Sequence, residues 1–136
     1  MVTSDGRRVL VADYVRGIAS LERESGELTW VPVPDSVAVS GIDGLVRMGH
    51  RLIAVQNGVA PRRVIELQLD DEERRITGWR PLESATPLLT EPTHAVAVGG
   101  EVFFIADSGW DRLDPAGQLK PGMRLEPAHV LRLAIP

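Results

Sequence analysis

Short apolar runs rich in Val, Ile and Leu alternate along the chain with Gly, Pro, Asn and Asp, the residues that favour turns. The runs are four to six residues long, which is the length of β-strands and too short for helices. Gly and Pro supply 13 and 10 of the 136 residues and are spread through the whole chain. The pattern predicts an all-β chain whose strands include Val9 to Ala12, Leu52 to Val55, Val64 to Leu69, Ala95 to Val98, Val102 to Ala106 and Val130 to Ile135.

The alternation of apolar and polar residues supports this prediction in detail. It is strict from Ile65 to Leu69 and weaker from Ile18 to Glu22, as expected for half-buried strands. The stretch 62–77 contains no Gly or Pro, but its centre, Asp70 to Arg75, is wholly charged. A helix there would lack an apolar stripe, so this segment is predicted to be a charged hairpin tip.

Three segments of the chain follow one plan. In each, a Gly-containing turn leads into a β-branched run that ends on Asp or Asn, and a second Val/Leu-rich strand follows. Aligning Asp13, Asn57 and Asp107 gives spacings of 44 and 50 residues, the period of a four-stranded propeller blade. The repeat predicts one partial β-propeller domain of about three four-stranded antiparallel blades over residues 1–136, in units of roughly 1–40, 41–90 and 91–136.

The three Trp residues fall into two groups. Trp30 and Trp79 occupy the same position in the outer strands of the first two units. An aromatic residue at a fixed repeat position is expected to pack between blades, with ligand stacking as the alternative. Trp110 lies outside that position, next to Asp111 and Arg112, which are predicted to form an ion pair within a loop. An exposed loop Trp is a candidate binding element.

Charge and composition exclude several classes of function. The chain has 15 Lys and Arg against 19 Asp and Glu, a net charge of −4, and shows no basic face for nucleic acid. No apolar run approaches the roughly 18 residues of a membrane span. The absence of Cys excludes disulfides, thiolate nucleophiles and Cys-ligated zinc. The N-terminus lacks the apolar segment of a signal peptide; a longer relative with one would be secreted or periplasmic, so the sequence assigns no compartment.

Several stretches resemble a known superfamily. The segment from Arg7 to Tyr14, followed by Gly17-Ile18 and Ser25-Gly26-Glu27, resembles the "LYVAD…G.I.R.D..TG" repeat of NHL-type and regucalcin/gluconolactonase-like (SMP-30-like) six-bladed β-propellers. The stretches from Ser40 to Asn57 and from Glu91 to Asp107 are similar to inner-strand regions of the same superfamily. The resemblance covers nearly the whole chain and implies a propeller with a central channel.

The length of the chain fits only half of such a ring. Six blades of this period need about 260 to 300 residues, and 136 residues supply about three blades. We therefore expect either a C-terminal portion of a longer protein or two copies that pair to close one ring. Met1 precedes the second strand of the first unit so closely that the inner strand is missing, which favours the first expectation. A half-ring exposes sheet edges and an inner wall, so either a homodimer or a marginally stable fragment is expected.

The channel supplies the candidate binding residues. In propellers, side chains at the starts of the inner strands converge on the channel. The candidates by position are Ser40, Asp43, Thr93 and His94, together with Asn57 and Asp107 after the second strands. An Asp or Asn at the end of a second strand can also accept N–H bonds of the following turn, which is the role favoured for Asp13 and Asp107.

The resemblance implies a divalent metal in the gluconolactonase-like enzymes, held by a carboxylate, an Asn and an Asp. Ser40 stands where that Asn is expected and Thr93 where the Asp is expected, so two hard oxygen ligands are missing. Asp43 and His94 remain as metal candidates for Ca, Mg or Zn, and no cofactor is certain. His50, His94 and His129 are 44 and 35 residues apart, which does not match a three-His zinc motif.

Two classes of function stay open at this point. The first is a ligand- or protein-binding module of the NHL/regucalcin-like superfamily, without assigned catalysis, that binds a small molecule or protein at the channel mouth. The alternative is a divalent-metal-dependent hydrolase of the gluconolactonase type, with Asp43, Asn57, His94 and Asp107 as ligands in the channel. Ser40 and Ser108 precede Gly but lack a G-x-S-x-G elbow, and no catalytic residue is assigned.

Overall fold

The architecture is all-β, as the sequence predicts. A computed structural model describes residues 1–135, so Pro136, the last residue of the predicted third unit, lies outside the described residues. This part of the chain contains no α-helix and no helix long and apolar enough to cross a membrane. Its elements are β1 (Arg8–Asp13), β2 (Gly17–Glu22), β3 (Leu28–Trp30), β4 (Ile42–Met48), β5 (Arg51–Gln56), β6 (Arg63–Leu69), β7 (Ile76–Ser84), β8 (Ala95–Val98), β9 (Glu101–Asp107), a 3₁₀ turn (Trp110–Arg112) and β10 (His129–Ala134).

Consecutive strands form three antiparallel sheets. The first sheet has the order β1-β2-β3, the second β4-β5-β6-β7 and the third β8-β9-β10. The prediction of four strands in every sheet is therefore wrong for the first and third sheets. In the first sheet, Met1 to Thr3 pair with β1 through a bridge between Val2 and Val9 and through hydrogen bonds of Met1 with Leu10 and of Thr3 with Arg8, but they do not form a full strand. In the third sheet, no strand pairs with the free edge of β10 within residues 1–135.

The charged segment at 70–75 is the tip of the β6–β7 hairpin, which confirms the prediction. The Asp70 carboxylate caps this tip by accepting the Arg74 N–H at 2.7 Å. A short polar side chain that bonds to nearby backbone N–H groups favours a turn over a helix. The flanking strands then pair with each other, from Leu69 with Ile76 onward.

The three sheets pack face to face, with the second sheet in the middle. Apolar residues of the first and second sheets form one core cluster, and those of the second and third sheets form another. β5 contributes to both, and its residues Leu52 to Val55 are 0% exposed because sheets cover both of its faces. The first cluster includes Leu10, Ile18, Leu52, Ala54, Ile65 and Leu67; the second includes Ile53, Val55, Val64, Val102, Phe104 and Ala106.

The two Trp residues of the outer strands have different surroundings. Trp79 packs against the core between the first and second sheets, which confirms the predicted packing role for this residue. Trp30 lies on the far side of the first sheet and is 40% exposed. It lies there because its β2 partner, Ala19, pairs with Val11, which faces away from the core.

A buried carboxylate joins the turns at one end of the stack, which we call the lower end (residues 3–8, 47–50 and 70–75). Glu73 is 1% exposed; it pairs with Arg47 and accepts the Ser4 N–H at 2.8 Å. The Arg8 guanidinium donates to the carbonyl of Glu73 at 3.1 Å and to that of Glu72. These bonds tie the first sheet to two hairpins of the second sheet.

A second buried carboxylate lies within the second sheet. Glu66 is 2% exposed, and it accepts bonds from Arg80 at 2.9 and 3.1 Å and from Arg51 at 3.2 Å. The hydrogen bonds from Arg80 lower the pKa of Glu66 below its ordinary value of 4.5 and outweigh the opposing effect of burial. Glu66 is therefore a charged, paired group that holds β5, β6 and β7 together.

Candidate functional site

The loops that follow β1, β5 and β9 meet the starts of the inner strands at the opposite end of the stack. We call this the upper end (residues 13–16, 40–43, 57–62, 91–94 and 107–112). The Gly41 N–H donates to the Tyr14 carbonyl at 2.6 Å, and the Asn57 N–H donates to the Gly41 carbonyl at 3.1 Å. In the third sheet, the Ser108 N–H donates to the Glu91 carbonyl at 3.1 Å. Backbone bonds thus hold each loop to its neighbouring inner segment.

A chain of three side chains crosses from the first sheet to the second at the upper end. The Tyr14 hydroxyl donates to Asn57 Oδ1 at 2.8 Å, and Asn57 Nδ2 donates to Asp43 Oδ2 at 2.9 Å. Tyr14 is 51% exposed, and Asp43 is also exposed. A phenol, an amide and a carboxylate are therefore presented together to solvent in a fixed order.

The backbone places Asp43 in this chain through a β-bulge. Ile42 pairs with Gln56 and Gly44 with Val55, so Asp43 is the extra residue on β4. A bulge leaves its extra residue unpaired and re-aims its side chain. Gly41, just before β4, has φ +67°, and a Cβ there would lie 2.6 Å from the Gly58 Cα. Only Gly accommodates both this backbone conformation and this close approach.

Thr93 and His94 lie beside the same inner strand. A Cβ on Gly44 would lie 2.8 Å from the Thr93 carbonyl oxygen and 3.2 Å from the His94 Cα, so β4 and the segment before β8 touch through backbone. His94 is exposed, whereas Thr93 is buried. The structure therefore places Asp43 and His94 at neighbouring positions on adjoining inner segments.

Ser40 contributes to the upper end through its backbone. Its carbonyl accepts a bond from Gln56 Nε2 at 2.7 Å, and the same nitrogen donates to the Ala38 carbonyl at 2.9 Å. Gln56 is 0% exposed and accepts a bond from Arg63 Nε at 2.7 Å. This buried amide fixes the path of the segment that leads into β4.

Asp107 forms a separate cluster at the end of β9. It is 4% exposed and pairs with Arg112 at 2.5 Å. Burial raises the pKa of Asp107, but hydrogen bonds from Arg112 and Thr90 outweigh it, so the pKa lies below its ordinary value. The predicted Asp111–Arg112 pair is wrong, because Arg112 reaches this buried carboxylate instead. The Asp111 N–H donates to Glu91 Oε2 at 2.8 Å.

Two further groups accompany Asp107. Trp110 is 67% exposed at the start of the 3₁₀ turn, in agreement with its predicted place in an exposed loop. The Ser108 hydroxyl is buried and has no hydrogen-bond partner within residues 1–135. An aromatic surface and an unsatisfied hydroxyl therefore lie close together in sequence at the upper end.

The three residues aligned by the repeat differ in role. Asp13 accepts the Val15 and Arg16 N–H groups at 3.0 and 2.7 Å, and Asp107 accepts the Gly109 N–H at 3.1 Å, which is the turn role predicted for both. Asp13 is the sixth residue of β1, whereas Asn57 lies one residue beyond the six-residue β5. Because Asn57 has left the strand, its side chain is free to bridge to the first sheet.

The described residues contain no group of three or more His, Asp or Glu placed to hold a metal ion. The three His do not form one group: His50 lies at the lower end, with Nδ1 3.8 Å from Glu73 Oε1. His94 lies at the upper end, and His129, the first residue of β10, pairs there with Asp107. Asp43 Oδ2 is engaged by Asn57. Asp43 and His94 alone supply fewer than the three protein ligands of a catalytic zinc site.

Tyr14 is the site residue that sequence reasoning did not select. It is the only Tyr of the chain, and the equivalent positions after Asn57 and Asp107 hold Gly58 and Ser108, so the repeat gave no signal.

A scan of the chain against models of known protein families finds no match, and a search of curated proteins finds none either.

Proposed function

We propose that the chain is about three blades of a β-propeller and acts as a binding module that takes a small molecule or a protein at the upper end. The observation that carries this proposal is the Tyr14–Asn57–Asp43 chain, in which exposed polar groups are ordered by hydrogen bonds across two sheets. Exposed polar side chains that only contact water do not need to be ordered in this way. Binding sites in general combine apolar surface with a few oriented polar groups.

The chemistry of the three side chains favours a ligand that carries hydrogen-bond donors. Asp43 Oδ1 accepts no hydrogen bond from residues 1–135, so it is available to a hydroxyl or ammonium group. The exposed Tyr14 ring adds an apolar face next to that acceptor. A polyhydroxylated molecule, with hydroxyls on an apolar carbon frame, matches both features.

A protein ligand is supported by exposed apolar side chains at the upper end and in the loop between β9 and β10. Val15 is 79% and Trp110 67% exposed at the upper end. The loop between β9 and β10 adds Met123 and Leu125, which are 52% and 72% exposed. Aromatic and Met side chains are enriched where proteins meet.

The metal-dependent hydrolase is a second candidate because Asp43 and His94 lie on adjoining inner segments beside Gly44. Ca²⁺ and Mg²⁺ take several oxygen ligands, and this pair offers a single carboxylate. The residues described do not by themselves fit a catalytic metal, and further ligands would have to come from outside this chain. We therefore derive no catalytic step.

Thermal-shift measurements separate the two candidates, since a ligand that binds the folded state raises Tm. The panel contains polyols, glucono-δ-lactone and short peptides without metal, and CaCl₂, MgCl₂ and ZnCl₂ alone and with the lactone. We expect organic compounds to raise Tm without metal, and Asp43→Asn and Tyr14→Phe to abolish that rise. Asp71→Asn, at the exposed lower-end hairpin, is the matched control.

A response equal in wild type, Asp43→Asn and Tyr14→Phe would contradict the proposed site. A Tm rise that requires metal, is lost in Asp43→Ala and His94→Ala, and accompanies lactone hydrolysis would favour the hydrolase instead.

A further inference from the structure

The two outermost sheets each present an apolar face to solvent. The outer face of the first sheet consists of the side chains of β1, β2 and β3 that point away from the second sheet: Val9, Val11, Ala19, Leu21, Leu28 and Trp30. The outer face of the third sheet carries the apolar residues Val96, Val98, Phe103, Ile105 and Val130, with an ion pair between Arg132 and Glu101 at 3.5 Å beside them. Val11, Leu28, Val96, Val98 and Val130 are 46 to 62% exposed. Contiguous exposed apolar patches of this kind mark interaction surfaces.

The outer face of the first sheet has a buried counterpart inside the molecule. Val9 and Val11 are the second and fourth residues of β1, and Leu52 and Ala54 are the second and fourth residues of β5. Leu52 and Ala54 are 0% exposed, because the first sheet covers them. The outer face of the first sheet therefore corresponds to the face of the second sheet that is buried, but no sheet packs against it.

The outer face of the third sheet also has a buried counterpart. Phe103 and Ile105 are the third and fifth residues of β9, as Ile53 and Val55 are of β5. Ile53 and Val55 are 0% exposed, because the third sheet covers them. On the outer face of the third sheet, the same positions border an open groove of about 270 Å³.

An Arg–Trp contact repeats on the buried and the exposed surface. Arg63 lies 5.3 Å from the centre of the Trp79 ring, where Trp79 packs against the core between two sheets. Arg16 lies 5.5 Å from the centre of the Trp30 ring on the outer face of the first sheet. The exposed face thus reproduces a detail of the internal interface as well as its apolar pattern.

We propose that the outer face of the first sheet docks onto the outer face of the third sheet of a second copy of this chain. The two faces are the two halves of one interface type that occurs twice within the chain, and every copy carries both halves. Two copies arranged with twofold symmetry form this contact twice, so no outer face remains exposed. The proposal is independent of any ligand at the upper end.

Light scattering on a sizing column tests the proposal with the full 136-residue chain. We expect a molar mass of about twice 14.8 kDa. Val11→Glu and Val130→Glu each place a charge in both contacts of the dimer, so each should raise the dissociation constant at least about tenfold and shift the mass toward that of one chain. Thr77→Glu, at an exposed residue of β7 in the middle sheet, lies outside both faces and should leave the dimer intact.

Mixing variants of opposite charge tests the head-to-tail arrangement, with Val130→Lys in place of Val130→Glu. In a mixed dimer, the intact third sheet of Val11→Glu meets the intact first sheet of Val130→Lys, and the other contact holds a Glu and a Lys of opposite charge. An equimolar mixture should therefore recover a 1:1 dimer that neither variant forms alone. Far-UV circular dichroism establishes that each variant is folded. If either fails to fold, the near-isosteric Val11→Thr and Val130→Thr replace them and should weaken the dimer measurably.

A wild-type mass of 14.8 kDa at all concentrations would overturn the proposal and assign the two faces to a different occupant. A dimer that survives either folded Glu variant would overturn it as well. A mixture that stays monomeric would exclude docking between unlike faces.

Discussion

The upper and lower ends of the sheet stack both contain polar clusters, but the two clusters differ in their burial and in how many of their polar groups are hydrogen-bonded. At the lower end, Glu73 is 1% exposed and is bonded to Arg47 and the Ser4 N–H. At the upper end, Asp43 and Tyr14 are exposed, and among residues 1–135 the side chain of each bonds only to Asn57, which lies between them. The lower cluster is closed to solvent, and the upper cluster is open.

The difference indicates which end stabilises the fold and which end is available to a ligand. A buried charge is tolerated only when it is paired and hydrogen-bonded, so its partners are tied to the stability of the fold. Exposed hydrogen bonds contribute little to stability because water replaces them. Stability should therefore depend on the lower end, and ligand binding on the upper end.

Removing the lower-end carboxylate should have the largest effect. Glu73→Ala leaves Arg47, whose side chain is 21% exposed, without its anion and the Ser4 N–H without its acceptor. Each of these two charge-assisted hydrogen bonds contributes about 1.5 to 3 kcal/mol, and their loss is measured by urea unfolding. Glu72→Ala, at a side chain 77% exposed, should change stability by less than about 0.5 kcal/mol; equal effects of the two variants would contradict this assignment.

A substitution at the backbone crossing of the upper end should rank second. Gly41→Ala forces φ +67° on an L-residue and places its Cβ 2.6 Å from the Gly58 Cα. The conformation costs about 1 to 2 kcal/mol and the overlap about 1 to 3 kcal/mol more. Gly26→Ala is the control, because it has φ +75° with nothing within 4 Å. Thermal unfolding should show a clearly smaller loss for Gly26→Ala, and equal losses would exclude the close contact.

Acid should weaken the fold through Glu66. Because Arg80 lowers the pKa of Glu66, the stabilisation is present above the ordinary value of 4.5 and is lost as the pH falls through the lower folded-state value. This loss of stability should be smaller than the loss caused by Gly41→Ala, because the protonated Glu66 carboxyl still offers Arg80 and Arg51 a neutral oxygen as a hydrogen-bond acceptor. Urea unfolding from pH 6 downward should show a shallower acid slope in Glu66→Gln than in wild type or Glu72→Gln. Parallel slopes would contradict this role.

Tyr14→Phe should have the smallest effect on stability. Its hydroxyl bond to Asn57 is exposed, so its loss should cost at most about 0.5 to 1 kcal/mol by the same unfolding measurement. Ser4→Pro, which removes the N–H bonded to buried Glu73, should cost more. A loss for Tyr14→Phe as large as that for Ser4→Pro would show that the two ends do not differ in the proposed way.

The sequence by itself determined the strands, the charged hairpin tip and the order of the hairpins. These features depend on alternation within a strand and on turn residues between strands, so they are local and readable from neighbouring positions. All six apolar runs selected from the sequence lie in strands, apart from the last residue, Ile135, of the final run. The repeat likewise predicts the place of Trp79 on an outer strand, which is β7.

Tertiary structure alone decided which polar groups are buried and fully paired and which are exposed to solvent. The Ser4 N–H meets Glu73 across 69 residues, and the Tyr14 hydroxyl meets Asn57 across 43 residues. The sequence treats Glu73 as one charge in a solvated run, but its backbone, with φ 55°, turns the carboxylate toward Ser4 and Arg47. Such contacts follow from how separate sheets stack, which no local pattern encodes, because burial and partner choice depend on residues far away in the chain.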